Sequence, residues 1–510
     1  MPTRRRAARD AGRPSRLAAW GPVVLVLAVI ASAFAAFEYD VAERLGWAAA
    51  EADPAEIAPP EGLELPQLTT PEPVAQGVDL DSGISDERVA AALAPYADLP
   101  ELGERRMLVV AGMDGVVHFQ QGVASTVPAS TMKIVTGAAA IESLGAETTF
   151  TTAVRAGAAP DEIVLVGGGD PYLMRVADPD AYPAQADLAT LATQTALALQ
   201  GAGTTEVRLG FDDSLFSGPR VSPDWPANYI PDAVVSPISP LYANQGRKED
   251  GWGFEADPAL GAARIFADEL AKRGITVTGS PRRTIAPARV APAAPTPTPT
   301  PTQASADPSV PPAPADLVPG QELAAVQSAP VWQIVDRVLA VSDNEGAEIL
   351  AHHVAIAEGA DPTFAGASIA VRAVLKRLGV NTSDDRILDG SGLSRKNLLT
   401  ATTLLEVMAL AGSAEHPELR PVLTGLPIAG FTGSLARRYV DSPEPGLGRV
   451  RAKTGTLTGV HGLAGTTTDL DGNVFVFVFL ADRVEVPETL DARAALEDLT
   501  AALAACHCSA

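Results

Sequence analysis

The chain has 510 residues, of which 46% are hydrophobic and 20% are charged, so most of it is expected to fold, into two or more domains. Its net charge of −24 argues against a nucleic-acid partner, because binding phosphates requires a basic patch. Two cysteines are too few for a framework of several disulfides.

The N-terminal residues indicate export. Residues 1–16 carry six arginines and are predicted to stay in the cytoplasm, as positively charged flanks of membrane spans do. Residues 17–37 form an uncharged apolar run of 21 residues, which is long enough to span a bilayer as a helix. We therefore expect a single-pass protein of the cell membrane with its main body outside the cytoplasm. A cleavable signal peptide is the alternative, because Ala31-Ser32-Ala33 offers a cleavage site, and the protein would then be exported.

The next part of the chain leads into folded sequence. Residues 38–83 are acidic and rich in proline, which predicts a stalk that holds the folded part off the membrane. Strands are predicted at 106–110 and 116–121, because Asp114-Gly115 between two such runs is typical of a β-hairpin.

The middle of the chain changes character. Residues 148–290 mix short strand-like segments with alanine-rich helical segments, which predicts an inserted α/β domain. Residues 291–321 are rich in proline and threonine, a composition that favours an exposed and extended loop. The rest of the chain is orderly again, with helices predicted at 331–341, 345–358 and 491–505 and strands predicted at 449–457, 460–466 and 474–480.

The chain ends in a short cluster of potential metal ligands. Residues 506–510 include Cys506-His507-Cys508, but a frayed tail is the better prediction for a cluster so close to the terminus. The other histidines show no spacing typical of metal ligands, so we expect neither a metal nor a cofactor.

The first motif is Ser-Thr-Met-Lys, from Ser130 to Lys133, at the start of a segment that is helical in pattern over 130–144. Residues three apart lie on one face of a helix, so the two side chains can meet. A serine hydroxyl is a weak nucleophile that needs a base. Lys133 can be that base if burial, or a second cation such as Lys453, lowers its pKa. The alternative is an N-capping serine with an exposed lysine.

The second motif is Ser342-Asp343-Asn344, between two predicted helices, where a short loop can point polar side chains into a cleft. Ser342 is a candidate for passing a proton to a leaving amine, and Asn344 for holding a substrate amide and the lysine. The alternative is that the motif only caps the following helix, because Ser, Asp and Asn are all favoured at N-caps.

The third motif is Lys453-Thr454-Gly455-Thr456, which continues a predicted strand. Lys453 and Thr454 are candidates for binding a substrate carboxylate as charge-assisted donors. Gly455 permits close approach of another backbone, and the N–H groups of Thr456 and Ser130 are candidates for an oxyanion hole. The alternative for Lys453 is a lysine that protects an edge strand from aggregation.

Each motif has its own alternative, but their occurrence together, in this order, is not expected by chance. The order is the signature of penicillin-binding proteins and class A β-lactamases. Over roughly residues 84–505 the chain resembles the D-alanyl-D-alanine carboxypeptidase/endopeptidases, which are class C low-molecular-mass penicillin-binding proteins. Segments 165–173, 212–216 and 389–397 resemble this family as well.

The resemblance implies an α/β (α+β) fold, in which a penicillin-binding/β-lactamase-like catalytic domain, an antiparallel sheet plus a helical lobe, carries an inserted α/β domain. Ser342 lies 212 residues after Ser130, which leaves room for that insert, whereas a compact β-lactamase has none. We therefore predict that 84–147 and 322–505 together form the catalytic domain.

The resemblance also implies a serine D-alanyl-D-alanine carboxypeptidase, and an endopeptidase as a further activity, that hydrolyses peptidoglycan stem peptides through an acyl-enzyme on Ser130. β-Lactams would acylate the same serine as inhibitors. One alternative is a β-lactamase, although no glutamate-loop motif follows Ser342. The other is a non-catalytic cell-wall binding protein, against which the intact serines and lysines argue.

Overall fold

The computed structural model describes residues 83–248, 251–290, 317–439 and 444–510. The predicted cytoplasmic terminus, membrane anchor and nearly all of the stalk lie outside the described residues, and so does most of the Pro/Thr-rich loop. Across the described ranges, no helix is both long enough and apolar enough to cross a membrane.

The first sheet is antiparallel and joins two distant parts of the chain. Its five strands, in the spatial order β11-β12-β13-β1-β2, are β1 (Arg106–Gly112), β2 (Val117–Gly122), β11 (Arg451–Leu457), β12 (Val460–Thr468) and β13 (Val474–Asp482). The predicted hairpin β1–β2 is confirmed, and the predicted strands β12 and β13 pair antiparallel as well. β1 pairs with β13, with Met107 opposite Leu480, so the middle of the chain leaves this sheet and returns to it.

Helices cover both faces of this sheet. One face packs against α1 (Asp86–Ala97) and α10 (Thr489–Ala504). The other packs against a helical lobe that contains α2 (Met132–Leu144), α5 (Val331–Val341), α6 (Asn344–Ala357), α7 (Phe364–Arg377), α8 (Ala401–Gly412) and the short α9 (Pro421–Thr424). Because side chains alternate along a strand, β13 turns Phe477 and Phe479 toward α10 and Val476 and Val478 toward the lobe. Its sequence is apolar throughout for that reason.

The second sheet belongs to the middle of the chain. Its strands are β4 (Thr151–Ala156), β5 (Glu162–Val166), β6 (Glu206–Asp212), β7 (Thr276–Val277), β8 (Arg282–Arg283) and β9 (Glu322–Gln327). The helices α3 (Leu188–Gly201) and α4 (Pro258–Ala271) share a separate hydrophobic core with these strands. A third, two-stranded sheet pairs β3 (Ser125–Thr126) with β10 (Leu399–Thr400).

The position of β9 corrects one predicted boundary. The catalytic part of the chain was expected to resume at residue 322, but Glu322–Gln327 pairs antiparallel with β4, with Ala324 opposite Val154. Ala324 and Val326 are buried in the core of the second sheet, so burial of their apolar side chains holds this segment there. The chain leaves the second sheet only after Gln327.

The prediction of a frayed tail at 506–510 is wrong. Cys506 and Cys508 form a disulfide, and Cys508 is fully buried. The Cys508 carbonyl accepts a hydrogen bond from the Ser85 N–H (2.8 Å), and Ser509 forms a β-bridge with Ile84. The end of the chain is therefore fixed against the segment that leads into α1.

Candidate active site

Ser130 lies on a short turn, Ala129–Thr131, that leads directly into α2. Ala129 has φ +46°, a left-handed conformation that costs a non-glycine residue energy and is enriched at functional sites. Two glycines let other backbone segments close on this turn. A Cβ on Gly455 would lie 2.8 Å from the Pro128 carbonyl oxygen, and one on Gly392 would overlap the Ala129 carbonyl. The nucleophile candidate is thus held between β11 and the segment that contains Gly392.

Lys133 follows one helical turn later and is fully buried. Its ammonium nitrogen Nζ lies 2.9 Å from Ser130 Oγ, 2.8 Å from Asn344 Oδ1 and 2.7 Å from the Ser391 carbonyl oxygen. The structure therefore brings three of the predicted catalytic residues into direct contact, and it adds a backbone carbonyl that the motifs did not indicate.

Burial lowers the pKa of Lys133 to about 8, although the negative charges of Glu348 and Asp343 oppose this shift. The pKa of Lys453 lies well below its usual range, first because of burial and second because of the charge on Lys133. Of the two causes considered for activating Lys133, burial is therefore the main one. The two buried lysines are close enough that a proton on Lys133 disfavours one on Lys453.

Each residue of the Ser342-Asp343-Asn344 motif has a different structural role. Ser342 ends α5 in a left-handed conformation (φ 63°, ψ 40°). Asp343 is the residue that caps α6, because its Oδ1 accepts a hydrogen bond from the Gly346 N–H at 2.9 Å. Capping thus occupies Asp343, whereas Ser342 lines the cleft beside Ser130 and Asn344 contacts Lys133.

Residues of the predicted inserted domain, 148–290, form hydrogen bonds with this motif. Asn344 Nδ2 donates to the Val234 carbonyl at 3.0 Å, and Gln245 Nε2 donates to Asp343 Oδ2 at 2.8 Å. Glu345, the next residue, accepts from a backbone N–H of the same domain. These bonds fix the amide of Asn344 so that its oxygen faces Lys133.

The third motif forms β11, an edge strand of the first sheet. Thr454 and Thr456 line a cleft of about 310 Å³ together with Ser130 and Ser342. Lys453 is fully buried beneath the cleft, and its Nζ donates to the Thr454 carbonyl at 3.1 Å.

Three further residues line this cleft that the motifs did not indicate: Ser434, Arg438 and Arg493. Ser434 Oγ lies 2.9 Å from Thr454 Oγ1. Arg438 forms a salt bridge with Glu497 of α10, with Nε 2.5 Å from Oε1. Burial, and then the charges of Arg493 and Arg438, lower the pKa of nearby His461 to about 4. One end of the cleft is therefore positively charged and suited to an anion. No local pattern marks these arginines, because only the fold brings Arg493 of α10 and Arg438 of the chain before β11 to the cleft.

A serine beside a buried amine, an amide facing that amine and an edge strand with two threonines define a serine acyl-transfer enzyme of the penicillin-binding type. The model of the D-Ala-D-Ala carboxypeptidase 3 (S13) family matches residues 89–250 and 310–503. The chain belongs to this family.

Two relatives carry names that agree with this assignment. Carboxypeptidase DacB of Mycolicibacterium smegmatis is 33% identical over 98% of this chain and 99% of its own length. The D-alanyl-D-alanine carboxypeptidase of an Actinomadura species is 31% identical over 70% of this chain and 74% of its own length. Both are named as carboxypeptidases, and the chain is accordingly a peptidase of this kind.

The crystal structure of penicillin-binding protein 4 (dacB) from Haemophilus influenzae has the same fold. It matches with a TM-score of 0.62 and 21% identity, over 82% of this chain and 98% of that one. The predicted fold class, an antiparallel sheet with a helical lobe and an inserted α/β unit, is confirmed.

Proposed function

We propose that this carboxypeptidase removes the terminal D-alanine of peptidoglycan stem peptides through an acyl-enzyme on Ser130, with Lys133 as the general base. The observation that carries this proposal is the hydrogen bonding of Lys133. A neutral amine has two N–H groups and one lone pair. Asn344 Oδ1 and the Ser391 carbonyl can only accept, so they take the two N–H groups. The lone pair then faces Ser130 Oγ, whose proton it can remove.

The remaining steps follow from the other motif residues. Ser130 Oγ attacks the carbonyl of the penultimate D-alanine, and the N–H groups of Ser130 and Thr456 stabilise the oxyanion. Ser342, which lines the cleft beside Ser130, passes its proton to the leaving amine as the peptide bond breaks, and it takes in exchange the proton that Lys133 removed from Ser130. Water then attacks the ester while Lys133 takes one of its protons, and Lys133 returns that proton to Ser130 Oγ as the shortened peptide leaves. Release of D-alanine from a synthetic stem pentapeptide tests this function, and its absence would overturn it.

The positive end of the cleft suits the carboxylate of the leaving D-alanine. Thr454 and Thr456 supply hydroxyl donors there, and Arg438 and Arg493 supply charge. Lys453 is fully buried and does not line the cleft, so we assign it no direct contact with the carboxylate. Charge-assisted hydrogen bonds of this kind are stronger than neutral ones.

Replacing Arg493 should therefore weaken recognition of the free carboxylate. In Arg493→Gln we expect kcat/KM for a stem pentapeptide to fall about 10- to 100-fold, because a hydrogen bond to a charged group is worth about 1.5–3 kcal/mol. The loss should be much smaller for the same peptide with a C-terminal amide. Arg377→Gln on α7, whose guanidinium pairs with Glu358 instead, is the control. Equal losses on both peptides would contradict this role.

The pKa of Lys133 predicts a dependence on pH. The base must be neutral, and with a pKa of about 8 its neutral fraction falls roughly tenfold for each pH unit below that value. The rate constant for acylation by benzylpenicillin should therefore rise from pH 6 to about 8 and then level off. Rapid-mixing measurements of acylation check this. A flat profile over this range would show that Lys133 does not limit the reaction as a base.

The β-lactamase alternative gains no support from the site. The carboxylate of Glu348 is fully buried and accepts hydrogen bonds from the Gly390 and Ser391 N–H groups, so it does not face water in the cleft. We expect the penicilloyl-enzyme to deacylate slowly. Endopeptidase action uses the same chemistry, with the amine of a cross-linked peptide as the leaving group.

We also propose that residues 17–37 anchor the protein in the cell membrane with the catalytic part outside. The length and flanking arginines of this segment support the proposal. The Cys506–Cys508 disulfide supports it too, because such bonds persist mainly in oxidising compartments. Cell fractionation should place the full chain in the membrane fraction, released by detergent and not by salt. Recovery of a shortened, soluble form from the medium would favour the cleaved signal instead.

A further inference from the structure

Residues 389–397 resemble the D-alanyl-D-alanine carboxypeptidase family, but they lie outside the three motifs and have no role assigned so far. In the structure this segment runs under the active site, and the carbonyl of Ser391 is its point of contact with Lys133, at 2.7 Å. Thr136 Oγ1, one turn further along α2, donates to the Gly390 carbonyl at 2.7 Å. Two adjacent carbonyls of this segment therefore lie against the helix that carries the catalytic serine and lysine.

Glu348 holds the other side of this segment. It lies four residues after Asn344 on α6, so the two side chains share one face of the helix. Its Oε1 accepts from the Ser391 N–H at 2.8 Å and its Oε2 from the Gly390 N–H at 3.1 Å. The side chain is fully buried. One carboxylate thus fixes the two peptide groups that directly precede the one whose carbonyl, that of Ser391, faces Lys133.

Asp389 completes the support of the segment. Its carboxylate accepts hydrogen bonds from the N–H groups of Gly392 and Ser394, at 2.9 and 2.6 Å. It also accepts from Asn397 Nδ2 and from Trp225 Nε1, each at 2.7 Å. The loop is therefore held from within by Asp389, while Glu348 ties it to the helix that begins with the second motif.

We propose that Glu348 is a positioning residue of the peptidase reaction: it holds the Ser391 carbonyl as the acceptor that, together with Asn344 Oδ1, orients the lone pair of Lys133 toward Ser130. This inference rests on the proposed function, since it assumes that Lys133 is the base. Without the Ser391 acceptor, one N–H of the neutral amine is unpaired and the amine can rotate. Glu348 itself contacts neither substrate nor the reacting atoms.

Glu348→Gln keeps the size of the side chain but changes its hydrogen-bonding pattern. A carboxylate accepts on both oxygens, whereas an amide accepts on one side and donates on the other. In the variant, the NH₂ group must face either the Gly390 N–H or the Ser391 N–H, and the loop must move. A misplacement of about 1 Å costs about 100-fold in rate. We expect the acylation rate constant with benzylpenicillin to fall about 10- to 100-fold.

The pH dependence of acylation distinguishes a role of Glu348 in positioning Lys133 from a general loss of folded protein. The acidic groups around Lys133 are Glu348, Asp343, Asp389 and Glu345, and Lys453 lies nearby. Burial, and then the charge of Asp389, raises the pKa of Glu348 itself to about 8, so its negative charge acts on Lys133 in the upper part of the range from pH 6 to 9. Glu348→Gln removes the negative charge of Glu348 and weakens the hydrogen bond from Lys133 to the Ser391 carbonyl. Each of these two losses lowers the pKa of Lys133, because each had stabilised its charged form. The midpoint of the acid limb should therefore move to lower pH in Glu348→Gln, which a simple loss of folded protein would not cause.

The experiment measures acylation of the full chain by benzylpenicillin between pH 6 and 9 for wild type, Glu348→Gln and Glu269→Gln. Glu269 is a matched control, since it is a buried glutamate in α4 that pairs with Arg175, Lys272 and Arg273. The proposal requires a lower plateau and a lower midpoint in Glu348→Gln, with the wild-type profile in the control. An unchanged rate, or a reduced rate with an unchanged midpoint, would overturn it.

If Glu348→Gln does not fold, a second variant that weakens the support of the same loop tests the proposal. Thr136→Val removes only the bond from Thr136 Oγ1 to the Gly390 carbonyl, on the other side of the same loop. It should lower the acylation rate in the same direction, and a wild-type rate would overturn the proposal. If wild type itself forms no adduct on Ser130, the proposed function fails instead, whatever the variants do.

Discussion

Ser130→Ala should abolish release of D-alanine from a stem pentapeptide. No acyl-enzyme can form without the hydroxyl, and removal of a serine nucleophile from another hydrolase cost about 10⁶-fold in kcat. Substrate binding should remain, because Thr454, Thr456, Arg438 and Arg493 still line the cleft. The variant should therefore bind the peptide with nearly unchanged affinity while turning over at the background rate. Calorimetric titration together with an assay for free D-alanine measures both properties.

A matched control for this variant lies on the same helix. Ser143 is near the far end of α2, where its Oγ donates to Glu358 Oε1 at 2.8 Å, on the surface of the lobe. Ser143→Ala should leave turnover at the wild-type level. Residual D-alanine release by Ser130→Ala at more than a trace would mean that another group is the nucleophile.

Lys133→Met should also reduce turnover, by about 10²- to 10⁴-fold. Methionine approximates the length and volume of lysine but cannot take the proton of Ser130, and loss of general-base catalysis costs about 10²- to 10⁴-fold. Asn344 Oδ1 and the Ser391 carbonyl lose a donor, at about 1–3 kcal/mol for each buried polar group left unpaired. The removal of a buried charge offsets part of that loss, since burial already disfavours the charged amine.

The measurement for Lys133→Met combines turnover with thermal unfolding. We expect a folded protein whose acylation by benzylpenicillin is lost across the whole pH range, including above pH 8, where wild type reaches its plateau. Lys396→Met, at an exposed lysine that pairs with Asp224, is the control and should behave as wild type. Acylation of Lys133→Met at more than a few per cent of the wild-type rate would exclude Lys133 as the base.

Much of the active site can be read from the sequence because its chemistry lies in short local motifs. The spacing of Ser130 and Lys133 on one helix determines that their side chains meet, and the structure shows this contact. The contact between Lys133 and Asn344, which is 211 residues away, depends on long-range packing. Only the resemblance to a family predicts this contact, since no local pattern specifies that α2 and α6 pack together.

Features that depend on long-range packing were missed or misplaced. Glu348 and the Ser391 carbonyl have no signature of their own, although the position of Glu348 four residues after Asn344 was a usable sign. The catalytic part was predicted to resume at residue 322 because orderly sequence returns there after the Pro/Thr-rich loop, and only the pairing with β4 places this strand in the second sheet. The two cysteines suggested a loose tail because their position near the terminus says nothing of the disulfide and the packing against Ser85.

The most direct test of the account is the mass of the intact full chain after incubation with benzylpenicillin, beside Ser130→Ala. We expect a lasting mass increase of one whole penicillin molecule on wild type, mapped to the peptide that contains Ser130, and none on the variant. An unmodified protein with intact penicillin would contradict it and favour a binding protein, and an unmodified protein with rapidly hydrolysed penicillin would indicate a β-lactamase.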